Sequence, residues 1–117
     1  MMVMINKVDS IEKLDEVFDR SHGAPVVLFK HSNRCGISSH VLEMVRDIDG
    51  ELHVVVIQEN RELSNEISAR TGYTHQSPQA FVLKDGKPVY HATHYGIDPS
   101  RIDDIVRIHR KAEHAGA

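Results

Sequence analysis

The sequence contains one cysteine, Cys35, in 117 residues. With no second thiol in the chain no intramolecular disulfide forms, which excludes a secreted disulfide scaffold. Zinc sites built from four cysteines, or from paired cysteines and paired histidines, are excluded within one chain as well. What remains is a buried inert thiol, a reactive thiol or a ligand shared between chains, and a reducing cytoplasm is the natural setting. Gly and Pro are few, at seven and four, so the chain is neither collagen-like nor linker-rich. No apolar run approaches the ~18 residues of a membrane span. Met1-Met2-Val3-Met4-Ile5 is followed at once by Asn6, Lys7 and Asp9. Lacking a basic start and a long apolar stretch, it does not read as a signal peptide. Fourteen basic residues against seventeen acidic ones leave a net charge of -3, which argues against non-specific nucleic-acid binding.

Hydrophobic residues make up 40% and charged residues 26%, a balance that predicts one folded domain over residues 1–117. The first helix signal is Asp9-Ser10-Ile11-Glu12. Asp9 or Ser10 caps the first amides, and Asp9 and Glu12 stand at capping-box spacing. Ile11, Leu14, Val17 and Phe18 follow at helical spacing, and Gly23 and Pro25 end the helix. Pro25 opens Val26-Val27-Leu28-Phe29, apolar on both faces like a strand covered on both sides. Residues 30–34 read as a polar connection. The helical period returns through Ile37, Val41, Met44, Val45 and Ile48, stopped by Gly50. Residues 52–57 form a strand rich in β-branched residues. Residues 61–71 read as a helix with Leu63, Ile67 and Ala69 inward, ended by Gly72. Ser77-Pro78 precedes a strand over residues 79–83, Asp85-Gly86 suits a type I′ hairpin turn, and Pro88 begins a return strand to His94. Asp98-Pro99-Ser100 starts the last helix, with Ile102, Ile105, Val106 and His109 on its inner face. The order α-β-α-β-α-β-β-α predicts a four-stranded mixed sheet with helices on both faces.

The chemistry centres on Cys35, which follows the first of these strands and begins the second helix. A helix N-terminus carries about +0.5 of a charge and free amide donors, so thiolate is favoured there over thiol. Arg34 is adjacent and Lys30 lies at the end of the strand, so both add positive charge nearby. Ser38, one helical turn on, stands where a second cysteine would complete Cys-x-x-Cys, and its hydroxyl is a candidate donor to the sulfur. Pro78 precedes a strand expected beside the first one, and Ser77-Pro78 is a candidate cis peptide, since X-Pro bonds tolerate cis at low cost.

Cys35-Gly36-Ile37-Ser38 at a strand-to-helix junction, with Ser77-Pro78 before a hairpin, resembles the thioredoxin-fold redox proteins. Residues 29–38 (Phe-Lys-His-Ser-Asn-Arg-Cys-Gly-Ile-Ser), Arg61-Glu62-Leu63-Ser64-Asn65 and His75-Gln76-Ser77-Pro78-Gln79 together resemble the monothiol bacilliredoxin family, over roughly residues 8–110. The resemblance implies a thioredoxin-like fold and thiol–disulfide exchange with bacillithiol as co-substrate, on S-bacillithiolated client proteins. Cys35 is then the nucleophile and Pro78 the cis-proline facing it. With no second cysteine, a low-molecular-weight thiol or a separate reductase completes the cycle. The backbone of Ser77 offers the ligand a short β-like contact. Arg61 and Asn65, one turn apart, are candidates for a carboxylate or sugar hydroxyl of the thiol. Gly36 and His75 are further candidate binding positions. Gly36 departs from the residue common in that family, and Cys-Gly-Ile-Ser is also similar to the Cys-Gly-Phe-Ser of monothiol glutaredoxins, which bind a [2Fe–2S] cluster between two chains. A third alternative is a thioredoxin-fold binding module without turnover.

Nine histidines are many for 117 residues. His31 is placed to tune the thiolate or order the loop, and His75 to approach Cys35. No short ligand pair of zinc-site spacing includes Cys35, so no metal site is expected. The expected partners are client proteins and a small thiol, without nucleic acid or membrane. The expected state is a monomer or weak dimer.

Overall fold

The computed structural model describes residues 4–34, 36–48 and 51–115. The elements are β1 (Met4–Lys7), α1 (Ile11–Arg20), β2 (Val26–His31), α2 (Gly36–Val45), β3 (Glu51–Val56), α3 (Arg61–Thr71), β4 (Gln79–Lys84), β5 (Lys87–Thr93), a 3-10 turn at His94–Gly96 and α4 (Pro99–Ala115). One sheet carries them in the order β1-β3-β2-β4-β5. β1 and β2 run parallel to β3, whereas β4 is antiparallel to both β2 and β5.

β2 is the central strand because its side chains are apolar on both faces, and residues 26–30 are all buried. Val27 and Phe29 join Val41, Val45, Leu52, Val82, Ile102 and Val106 in a core under α2 and α4. Val26 and Leu28 join Leu14, Val17, Phe18, Leu63, Ile67 and Phe81 in a second core under α1 and α3. Strand alternation assigns each side chain to one of these layers.

The sheet has five strands, not four. β1 supplies the extra one, lying parallel to β3 with Ile5 opposite Leu52. Four residues, Met-Ile-Asn-Lys, with the two apolar ones adjacent, carry no alternating strand pattern of their own. The free edge of β3 recruits them, and Val8 N–H extends the pairing to the Val54 carbonyl at 2.8 Å. β2 also runs two residues past Phe29, so Lys30 and His31 belong to the sheet and not to a polar connection.

Helix α1 is capped by Ser10, whose hydroxyl accepts from Lys13 N–H at 3.2 Å, while Asp9 pairs with Lys13 at 2.9 Å. The helix ends at Arg20, ahead of Gly23 and Pro25, and its first residue Ile11 is exposed. In α2 the buried positions are Ser38, Val41 and Val45, continued by Ile48 beyond the helix. That seam is rotated from the expected one, leaving Met44 exposed. Gly50, the expected stop, lies outside the described residues. In α3 Ser64 is buried and Ala69 is exposed. Gly72 closes this helix at φ 79, a left-handed conformation in which glycine has no Cβ penalty. Asp85 and Gly86 both have positive φ, 55 and 75, as a type I′ hairpin turn requires. β5 ends at Thr93, and His94 turns away at φ 52. No helix among the described residues is long and apolar enough to cross a membrane.

Candidate functional site

The site gathers where β2 ends and α2 begins. Adjacent strand residues point to opposite faces, so β2 delivers Lys30 toward α3 and His31 toward α2. Cys35 lies outside the described residues, and the geometry below belongs to residues near it in sequence and to the side chains these contact.

The connection from His31 to Arg34 is tied down by side chains. Ser38 Oγ accepts the Ser32 amide at 2.9 Å and lies 2.8 Å from His31 Nδ1. Gln58 Nε2 donates to Ser32 Oγ at 2.6 Å, and its Oε1 accepts the Asn33 amide at 3.1 Å. The Arg34 amide donates to Ser32 Oγ at 3.4 Å. Ile57 N–H donates to the His31 carbonyl at 2.9 Å. Burial holds His31 below the usual histidine range, so the ring is neutral at pH 7. A hydroxyl has one proton and two lone pairs. Ser38 gives its proton to His31 when Nδ1 carries the lone pair, and keeps it free when Nδ1 carries hydrogen. Ser38 is thus the fully buried anchor of this loop, and its hydroxyl is shared with His31 before any sulfur is considered.

Across the sheet, Arg61, Asn65 and His75 line one cavity of about 360 Å³ with Ile57, Gln58 and Ser64. Two candidates on α3 and one from the loop before β4 therefore meet. His75 Nδ1 pairs with Ser64 Oγ at 2.9 Å. Burial and then the positive charge of Lys30 lower its pKa. His75 thus faces α3 and His31 faces α2. Among the described residues no three His, Cys, Asp or Glu side chains cluster to hold a metal ion.

The Ser77–Pro78 peptide is cis, and Pro78 is buried. The Pro78 carbonyl accepts from His94 N–H at 3.0 Å. Ser77 Oγ is buried without a hydrogen-bond partner among the described residues. Gln79 Nε2 reaches the Thr74 carbonyl at 3.0 Å and His91 Nε2 at 2.9 Å, while Tyr73 stacks on His91 at 3.8 Å. The loop before Pro78 is held by these contacts. Arg34 and Gly36 are exposed, and a Cβ at Gly36 would meet nothing within 4 Å.

Sequence reasoning missed Gln58, gave no role to Ser64 and Gln79, and read Lys30 as positive charge at the end of the strand, not as a buried side chain. Lys30 carried one available signal, since it directly continues an apolar strand. Gln58 reaches the site only because β3 ends beside β2.

Parallel β3 and β2 followed by an antiparallel hairpin, with helices on both faces, define a thioredoxin fold. A protein provisionally described as an oxidoreductase with a thioredoxin fold matches at TM-score 0.80 and 28% identity, covering 86% of this chain and 92% of that one. A mutant thioredoxin from Halobacterium salinarum matches at TM-score 0.70 and 16% identity, covering 91% and 90%. Malassezia sympodialis thioredoxin matches at TM-score 0.71 and 15% identity, covering 93% and 92%. The chain is a thiol oxidoreductase of this fold. It belongs to the monothiol bacilliredoxin BrxC family, which it matches over residues 6–102.

Proposed function

We propose that the protein removes bacillithiol from S-bacillithiolated proteins in the cytoplasm, with Cys35 as the nucleophile and bacillithiol as co-substrate. The match to the monothiol bacilliredoxin family carries this reading. Three features support it. Cys35 is the one thiol of the chain and directly precedes α2 in sequence. A helix start favours thiolate over thiol. The cavity lined by Arg61, Asn65 and His75 is lined also by Gln58, which braces the loop leading to Cys35.

In this mechanism the Cys35 thiolate attacks the bacillithiol sulfur of a mixed disulfide. A new S–S bond forms to Cys35, the old one breaks, and the client leaves as a thiolate that takes up a proton. The backbone of Ser77 and Gly36 guide the ligand past Pro78, and Arg61, Asn65 and His75 hold its polar groups. Arg34 adds positive charge beside the thiolate. A second small thiol then attacks the mixed disulfide and releases Cys35.

The test incubates the reduced protein with a model protein carrying a bacillithiol mixed disulfide and follows intact mass. The expected result is one bacillithiol on Cys35 with release of the client thiol, abolished in Cys35→Ser. No transfer at neutral pH from folded, reduced protein overturns the reading, as does isolation as a brown dimer bridged by a [2Fe–2S] cluster.

A further inference from the structure

Lys30 is the charged side chain of this region that the exchange mechanism leaves unused. It is fully buried, at 0% exposure. Among the described residues its Nζ makes one hydrogen bond, to the Ser64 carbonyl at 3.3 Å, and no carboxylate pairs with it. An ammonium has three donors, and a buried charge is ordinarily paired. The cross-strand neighbour Gln79 lies opposite Lys30 in the β2–β4 register and is also fully buried. Its Oε1 has no hydrogen-bond partner among the described residues. Lys30, which reaches Ser64, and Gln79 across the strand pair are therefore two buried polar groups with unused capacity.

On the other side of Ser64 lies the cavity lined by Ile57, Gln58, Arg61, Asn65 and His75. Among the described residues, none that lines it is acidic. Arg61 has no carboxylate partner among the described residues. The charged and titratable groups on the surrounding elements do not neutralise Lys30. On α3, Glu66 pairs with Arg70 at 2.9 Å and Glu62 is exposed outside the cavity. On β3, His53 contacts Glu51 at 3.3 Å. On β5, His91 bonds Gln79. His75 carries no compensating negative charge.

We propose that this cavity is an anion site that receives a carboxylate of the small thiol, with Arg61 as the contact and Lys30 as the countercharge behind Ser64. The inference rests on the exchange reaction proposed above and adds its selectivity. Lys30 acts as a positioning residue, through its field and not by touching the ligand. A buried charge left without a counterion is costly, and an anion entering the cavity offsets that cost. Burial pushes the Lys30 pKa down to about 8, so the countercharge is present at pH 7 and largely gone by pH 9.

The test compares three symmetric disulfides as oxidants of reduced protein: dithiodipropionate (anionic), hydroxyethyl disulfide (neutral) and cystamine (cationic). Each forms one S–S bond to Cys35 and releases one small thiolate, which takes up a proton, and intact mass gives the rate. The readout is the ratio of anionic to neutral rates, in which the thiolate fraction of Cys35 cancels, and the cation serves as the opposite-sign control at pH 7. The wild type is expected to favour the anion. Lys30→Met lowers the ratio roughly tenfold, the effect of one charge acting over ~12 Å at an effective dielectric of ~20. The neutral rate changes little. Without any variant, the wild-type ratio falls between pH 7 and pH 9. A ratio that is flat with pH, or a folded Lys30→Met with the wild-type ratio, overturns the anion site and leaves the exchange reaction standing. Failure of all three disulfides to modify Cys35 overturns both.

Discussion

Replacing Lys30 with methionine keeps most of the side chain's length and removes a charge that the fold holds at a disadvantage. The side chain is fully buried, and desolvation lowers its pKa from 10.5 to about 8. At ~1.36 kcal/mol per pH unit the difference corresponds to about 3 kcal/mol at pH 7. Because the folded pKa is the lower one, the folded protein binds this proton more weakly than the unfolded chain. Wild-type stability therefore carries the full penalty below pH 8, regains it between pH 8 and 10.5, and is level with respect to this group above that. Urea unfolding of both proteins from pH 7 to 10 measures the effect. Lys30→Met is expected to be the more stable by up to about 3 kcal/mol at pH 7, with the gap closing as pH rises past 8. A variant less stable at pH 7, or a gap equal at pH 7 and 10, would refute the reasoning. A charge that weakens the fold and sets the anion preference is a stability–function trade.

Three further outcomes follow from the same geometry. Ser38→Ala leaves the Ser32 amide and His31 Nδ1 without their partner, so it lowers stability by roughly 1–3 kcal/mol. Exchange at Cys35 persists but slows, as read by denaturant melts beside the transfer assay, and a melt unchanged from wild type contradicts the anchoring role. Gly36→Ala meets no neighbour within 4 Å at the start of α2 and raises stability by roughly 0.4–1 kcal/mol, whereas a drop in melting temperature shows a contact not accounted for. His31, His53, His75 and His91 all have pKa values held below the usual range, chiefly by burial. The folded state then binds fewer protons than the unfolded chain below about pH 6.5, and stability falls as pH drops from 7 toward 5. Denaturant midpoints track the loss, His53→Gln flattens part of it, and a midpoint that rises on acidification refutes the assignment.

Much of the architecture was readable without coordinates because local patterns and the final packing agree. The doubly apolar run at residues 26–29, the β-branched run at 52–57 and the Asp85-Gly86 turn each have one reading as structure. β1 was not legible, since its four residues form a strand only against the open edge of β3. Met44 and Ala69 were expected inward and are exposed, while Ser38 and Ser64 are buried in their place. Periodicity ranks residues by hydrophobicity, and both serines are held by hydrogen bonds to loops that the period does not contain.

The site divides along the same line. The single thiol, its place before a helix and the absence of a resolving cysteine are properties of sequence order, and they determine a one-cysteine exchange chemistry. That Arg61, Asn65 and His75 share a cavity depends on β4 lying beside β2, which brings the loop before Pro78 against α3. Whether Lys30 is a loop cation or a buried countercharge was likewise open until the sheet was assembled. One more residue of strand pairing, Lys30 opposite Gln79, turns the side chain inward and takes its charge out of water.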